Sequence, residues 1–143
     1  MQHCGFRVRR VTWHELGHEL ASIRRRVFVA EQNVPLELEQ DGLDPDCIHA
    51  LAETDSGFAM GTGRLMPDGR IGRMAVLAEW RRRGVGAALL RDLMDAARER
   101  GIESVRLHAQ EHARSFYERH GFRVDGEPYV EAGIPHISMY AAF

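Results

Sequence analysis

Arg81-Arg82-Arg83 runs directly into Gly84-Val85-Gly86-Ala87, after the apolar stretch Met74-Ala75-Val76-Leu77 and ahead of a long amphipathic one. Glycines let a backbone turn tightly and admit a bulky anion, and the first turn of a helix leaves amide N–H groups without internal partners. Those donors, a helix dipole worth roughly 0.3–1 kcal/mol per favourable charge, and the three guanidinium groups suit a phosphate-bearing guest. A nucleotide-hydrolase phosphate loop would need Lys and then Ser or Thr after its last glycine, whereas Ala87 and Ala88 follow Gly86. A dinucleotide fingerprint would need three glycines after the first strand of a parallel sheet; this turn has two and lies mid-chain. Taken alone, two glycines would serve equally well simply to start a helix.

The flanking elements can be read from periodicity. Phe6, Val8 and Val11 alternate roughly with arginines in a first strand. Thr12 and Glu15 then form a capping box for a helix carrying Leu16, Leu20, Ile23 and Val27 and ending near Glu31. Residues 32–46 hold Asn33, Pro35, Gly42 and Pro45 among several acids and read as an irregular surface segment. The run Arg24-Arg25-Arg26 reads as the wet face of the first helix. Strands follow over 48–53, 58–66 and 71–77, the last an apolar run that predicts a central strand covered on both faces. Val85, Leu89, Leu93 and Ala97 mark a helix that Gly101 stops. Val105, Leu107 and Ala109 form the next strand, parallel to the one through Met74 because a helix connects them. A helix over 111–120 and strands over 122–125 and 134–140 complete a mixed α/β chain of α+β layout.

Composition narrows the classes of function. The chain has 143 residues, 44% hydrophobic and 28% charged, which suits one self-sufficient domain over 1–143 and not a disordered tail. Nineteen basic against 21 acidic residues leave a net charge of -2, which argues against phosphate attraction to nucleic acid as the main partner. Ala132–Phe143 is the longest run without Asp, Glu, Lys or Arg, far short of the ~20 residues that cross a bilayer. The charged N-terminus lacks a signal-peptide core, so a cytoplasmic location is expected. Cys4 and Cys47 have neither zinc spacing nor a Cys/His arrangement and read as free thiols; the eight histidines show no helical pairing with a carboxylate, so no metal is expected.

Arg81-x-x-Gly84-x-Gly86 resembles the Arg/Gln-x-x-Gly-x-Gly/Ala signature of the GNAT superfamily of acyl-CoA-dependent N-acetyltransferases. Gln110-Glu111-His112-Ala113-Arg114-Ser115-Phe116-Tyr117, continuing to Gly121-Phe122, is similar to that family's Asn-x-x-Ala-x-x-Phe-Tyr-x-x-x-Gly-Phe segment, with Gln110 in place of Asn. Further blocks, Arg26-Val27-Phe28-Val29-Ala30-Glu31-Gln32, Pro35, Asp41, Asp44, His49 and Ile134-Pro135-His136-Ile137 with Met139, resemble the ElaA-type subgroup.

The resemblance implies a mostly antiparallel sheet of six to seven strands, splayed between the fourth and fifth and flanked by about four helices. Acetyl-CoA would lie in the splay, its pantetheine arm on the main chain of Met74, Ala75 and Val76. Its pyrophosphate would rest on the turn from Arg81, Arg82 and Arg83 through Gly84, Val85, Gly86 and Ala87; Gln110 and Phe116 would also contact the cofactor, and Tyr117 would lie near its sulfur. Tyr117 would donate to the departing thiolate, and the Val76 amide would polarise the thioester carbonyl. Glu31, Asp41, Glu131 and His136 would rim the acceptor side, and no spacing rule chooses a general base among them. The implied reaction is direct acetyl transfer to a primary amine, with a homodimer as the implied assembly. A non-catalytic acyl-CoA-binding module and a peptide-directed acetyltransferase remain as alternatives.

Overall fold

The computed structural model describes residues 5–143, so Cys4 lies outside the described residues. β1 (Phe6–Val11) leads to α1 (Trp13–Arg24), a π-helical segment (Arg25–Glu31) and the short α2 (Leu36–Glu39). β2 (Ile48–Thr54), β3 (Ala59–Leu65) and β4 (Ile71–Val76) form a meander, and α3 (Val85–Glu99) crosses to β5 (Ser104–Gln110). α4 (Arg114–Glu118), β6 (Arg123–Val124), β7 (Tyr129–Glu131) and β8 (Ile134–Ala142) close the chain. All strand pairing within the two sheets is antiparallel: β1-β2-β3-β4 in one, and β5-β8-β6 in the other with β7 also on β8.

The expected α+β fold with its splayed sheet is the fold observed, with eight strands among the described residues rather than six or seven. β4 and β5 run parallel but touch through one bridge only, Arg70 to Arg106, where the Arg106 amide donates to the Gly69 carbonyl at 3.1 Å. Beyond that pivot the two strands part. β4 is therefore covered on both faces, as its apolar run predicts, yet it ends the first sheet instead of sitting in the middle of a continuous one.

α3 covers one face, with Leu89, Leu90, Leu93 and Ala97 fully buried. It can sit this close because β3 carries glycine where the helix presses: a Cβ on Gly63 would lie 2.9 Å from Leu93, and one on Gly61 3.3 Å from Leu89. On the opposite face Leu20, Ile23 and Val27 pack with Val11, Leu51, Ala75 and Leu77.

The predicted capping box starts α1: Thr12 Oγ1 accepts from the Glu15 amide at 3.1 Å, and Glu15 Oε1 accepts from the Thr12 amide at 3.3 Å. The helical run does reach Glu31, but after Arg24 its hydrogen bonds widen, as when the Gln32 amide reaches the Val27 carbonyl at 3.1 Å. Such π segments often mark functional positions.

Residues 32–46 differ from the expected irregular surface segment. They contain α2 and a 3₁₀ turn (Asp44–Asp46), and they bury Glu39 and Asp44. The partner of both is Arg24, which is fully buried rather than on the wet face; only Arg25 and Arg26 are exposed. Arg24 Nε donates to Glu39 at 2.6 Å and its Nη1 to Asp44 at 2.7 Å, while Arg64 reaches Asp44 at 2.9 Å and also pairs with Asp41. A helical wheel assigns a charge to solvent by default; only the folded chain reveals an acid waiting inside.

Candidate active site

Gly84 begins α3 with φ +83°, a left-handed backbone that residues with a Cβ adopt at a cost, and no side chain caps the helix start. Among the described residues, no amide from Arg82 to Ala87 has a hydrogen-bond partner; the first paired one is Ala88, which donates to the Gly84 carbonyl at 3.0 Å. The first turn also carries no acidic side chain. Arg82 and Arg83 are exposed, with Arg83 over the Trp80 ring at 5.4 Å, whereas Val85 is buried and anchors the helix. This is a fifteen-residue helix whose positive end is presented bare.

Gly86 faces Phe116, and a Cβ there would stand 3.7 Å from the ring and 3.9 Å from Val76 Cγ2, ordinary contact distances. The protein alone therefore does not require glycine at position 86.

The parting of β4 from β5 opens beside this turn. The Leu77 amide donates to the Met60 carbonyl at 2.9 Å, and Val76 and Ala75 stand opposite Gly61 and Thr62. Strand alternation then turns the main-chain groups of Ala75 toward β3 and those of Met74 and Val76 toward the gap. A register shift between Thr62 and Arg64, with Arg73 at φ +50°, bends β4 just ahead of them. On the α1 side of the gap lies a cavity of about 490 Å³ lined by Glu31, Gln32, Met74, Ala75, Arg81 and Gln110, among others.

Glu31, the last residue of the π segment, and Gln32 just after it straddle this gap. Arg81 donates to Glu31 through both terminal nitrogens, at 2.6 and 2.7 Å, and through Nε to the Val76 carbonyl at 2.8 Å. Gln110 Nε2 donates to Gln32 at 2.8 Å. The hydrogen bond from Arg81 holds the Glu31 carboxyl below its ordinary value, so Glu31 is a weak base as it stands.

Asp41 is likewise taken. Burial opposes its ionisation, but hydrogen bonds from Arg64 and the Leu43 amide, with the charge of Arg73, outweigh that and hold it well below the carboxylate range. It sits with the buried ion pairs. Glu131 is exposed at the end of β7, and neither it nor His136 is among the residues that line the cavity.

His136 is buried opposite Gln110 in the β5–β8 pairing, so the two side chains share a face. Its Nδ1–H donates to the Ile134 carbonyl at 2.7 Å, which leaves Nε2 as the free ring nitrogen. Tyr129 stacks on it with ring centres 5.9 Å apart and hydrogen-bonds His108. Tyr129 is absent from the sequence-based candidates because β7, three residues long, carries no periodic signal.

Tyr117 packs edge-on to Phe116 at 5.0 Å and to Phe122 at 5.8 Å. Burial pushes its phenol up to about 12, so at neutral pH it is a proton donor and not a base. Its hydroxyl has no hydrogen-bond partner among the described residues, nor is it one of the sealed-off polar atoms, which leaves it open to a partner from outside. Cys47 is a buried free thiol whose Sγ reaches the Leu43 carbonyl at 3.3 Å, and burial raises its pKa, so it is inert. Among the described residues no cluster of three or more His, Cys, Asp or Glu could hold a metal ion, and no helix is long and apolar enough to cross a membrane.

A sheet that parts between two parallel strands, with a bare helix N-terminus at the parting, can seat an extended ligand that carries phosphate. Residues 14–143 match the acetyltransferase (GNAT) domain family, and the chain belongs to it: it is an acyl-CoA-dependent N-acetyltransferase in general class. It is 40% identical over 121 residues to YjcF of Bacillus subtilis, an uncharacterized N-acetyltransferase, covering 82% of this chain and 86% of that one. Among solved structures it is similar to an acyl-CoA N-acyltransferase from Pseudomonas aeruginosa (TM-score 0.86, 33% identity, 96% of this chain and 99% of the other). It is also similar to Escherichia coli ElaA (TM-score 0.83, 30% identity, 94% and 99%), in keeping with the subgroup that the sequence blocks resemble.

Proposed function

We propose that residues 1–143 act as one catalytic domain that moves an acetyl group from acetyl-CoA directly to the primary amine of a small-molecule acceptor. The observation that carries this reading is the run of unpartnered amides from Arg82 to Ala87 beside the gap into which Met74 and Val76 turn their main chain. Those amides would hold the diphosphate, and β4 would receive the pantetheine arm as an added strand. Acetyl-CoA supplies the acetyl group as a thioester.

The chain's own part is proton handling. A lysine-like amine with pKa near ~10.4 is neutral in only about one molecule in a few thousand at pH 7, so a base must take its proton. With Asp41 held among arginines, Nε2 of His136 fills that role, on the face it shares with Gln110, which lines the cavity. Tyr117 gives its proton to the departing thiolate, and the Val76 amide faces the carbonyl of the transferred group.

The test is free-thiol release from acetyl-CoA across a panel of amines, together with calorimetric titration with CoA. Every Lys/Arg position in the chain is arginine, so thiol release reports transfer to the added amine and not to lysines of the enzyme itself. Tight CoA binding with no transfer to any amine would replace this reading with that of a non-catalytic binding module.

A further inference from the structure

Arg81 makes two commitments that a bound acyl-CoA would contest at once. Its Nε–H occupies the Val76 carbonyl, a group on the gap side of β4 that an added strand would use, and its terminal N–H groups are spent on Glu31. Its own main chain begins the phosphate-binding turn, so the guanidinium lies within reach of any diphosphate seated there. The pair is open to solvent, with 37% and 42% of the two side chains exposed, and exposed pairs of this kind hold weakly. A diphosphate offers the same fork a bidentate acceptor of higher charge.

Resting on the acyl-CoA reading above, we infer that the Glu31–Arg81 pair is a latch: acyl-CoA draws Arg81 away, and the Glu31 carboxylate it uncovers anchors the cationic part of the acceptor. Glu31 lines the same cavity as Met74, Ala75 and Gln110, and its neighbour Gln32 is tied across the gap to Gln110, so the freed carboxylate stays on the acceptor side. The acceptor class is then an amine with a second positive group, such as a diamine, bound after the acyl donor and not before it.

The sign of one titration separates this from a supporting role. Glu31→Gln removes the competitor for Arg81 and tightens CoA about two- to fivefold by calorimetry; unchanged or weaker binding overturns the latch, because a residue that merely propped Arg81 toward phosphate would weaken binding when lost. Arg81→Gln weakens CoA about tenfold, and binding as tight as wild type would show that Arg81 only obstructs and would also overturn it. With saturating acetyl-CoA, Glu31→Gln lowers kcat/KM about tenfold more for amines with a second cationic group, 1,4-diaminobutane among them, than for monoamines. Equal losses overturn the anchor. If the wild-type protein binds no CoA, or binds it and acetylates no amine, the proposed function itself fails, whereas the outcomes above judge only the latch.

Discussion

At the scale of single residues, geometry separates groups that look alike in the sequence. Glu31, Asp41, Glu131 and His136 are equivalent candidates when only residue types are known. Folding gives Glu31 and Asp41 to arginines, leaves Glu131 at a hairpin tip and sets His136 with one ring nitrogen free. Tyr117→Phe keeps the ring packing against Phe116 and Phe122 but removes the donor. It should lower kcat roughly 10²-fold. KM for acetyl-CoA and the melting temperature should stay near wild type, and steady-state kinetics with a thermal melt check both. His136→Gln should lower kcat in the same range. A kcat near wild type would assign the base elsewhere.

At the scale of elements, the glycine turn was legible because its physics is local. Two glycines, basic residues and an amphipathic run specify a bare helix start without reference to the rest of the chain. The two glycines nonetheless do different work. Gly84→Ala places a Cβ on a left-handed backbone and should cost about 1–2 kcal/mol in urea unfolding. Gly86→Ala has room against Phe116 and Val76, and the family signature accepts alanine at this position, so its stability in urea unfolding and its affinity for CoA in calorimetry should both stay near wild type. The π segment was not legible, since Arg25–Glu31 continues the apolar spacing of α1 and its widened hydrogen bonds depend on what it packs against. β7 was missed for a related reason: three residues are too few for alternation to register, and its pairing comes from the hairpin through Ala132 and Gly133 to β8.

At the scale of the whole molecule, buried charge joins α1, the segment after it and the first sheet. Arg24, Glu39, Asp44 and Arg64 are nearly sealed from solvent, and Arg73 adds hydrogen bonds to the Leu38 and Glu39 carbonyls near the bend in β4. Arg24→Ala leaves two buried carboxylates without their main counter-charge and should destabilise the fold by about 3–5 kcal/mol in urea denaturation. The acid response follows from Asp41 and Asp44, whose carboxyls are held below their ordinary values because arginine contacts outweigh burial. A depressed native pKa means stability that is fully present above the unfolded value near ~3.9 and is lost as pH falls through the native one. Stability should therefore begin to fall below about 6.5, where burial keeps His49 from taking the proton it accepts in the unfolded chain, and fall most steeply below about 4. Asp41→Asn should flatten that limb, and an unchanged slope in pH-dependent melts would remove Asp41 as its source.

What the sequence by itself determined was whatever depends on neighbours along the chain: the capped first helix, the alternating strands, the glycine turn with its bare amides, and the family blocks from Arg26 to Met139. Only the tertiary structure decided which charges meet. Arg24 is 15 residues from Glu39 and 20 from Asp44, Glu31 is 50 from Arg81, and Gln32 is 78 from Gln110. Periodicity records which face of an element avoids water. It carries no record of which distant ion will arrive to neutralise a buried one, because that pairing exists only after the strands have parted and the helices have docked.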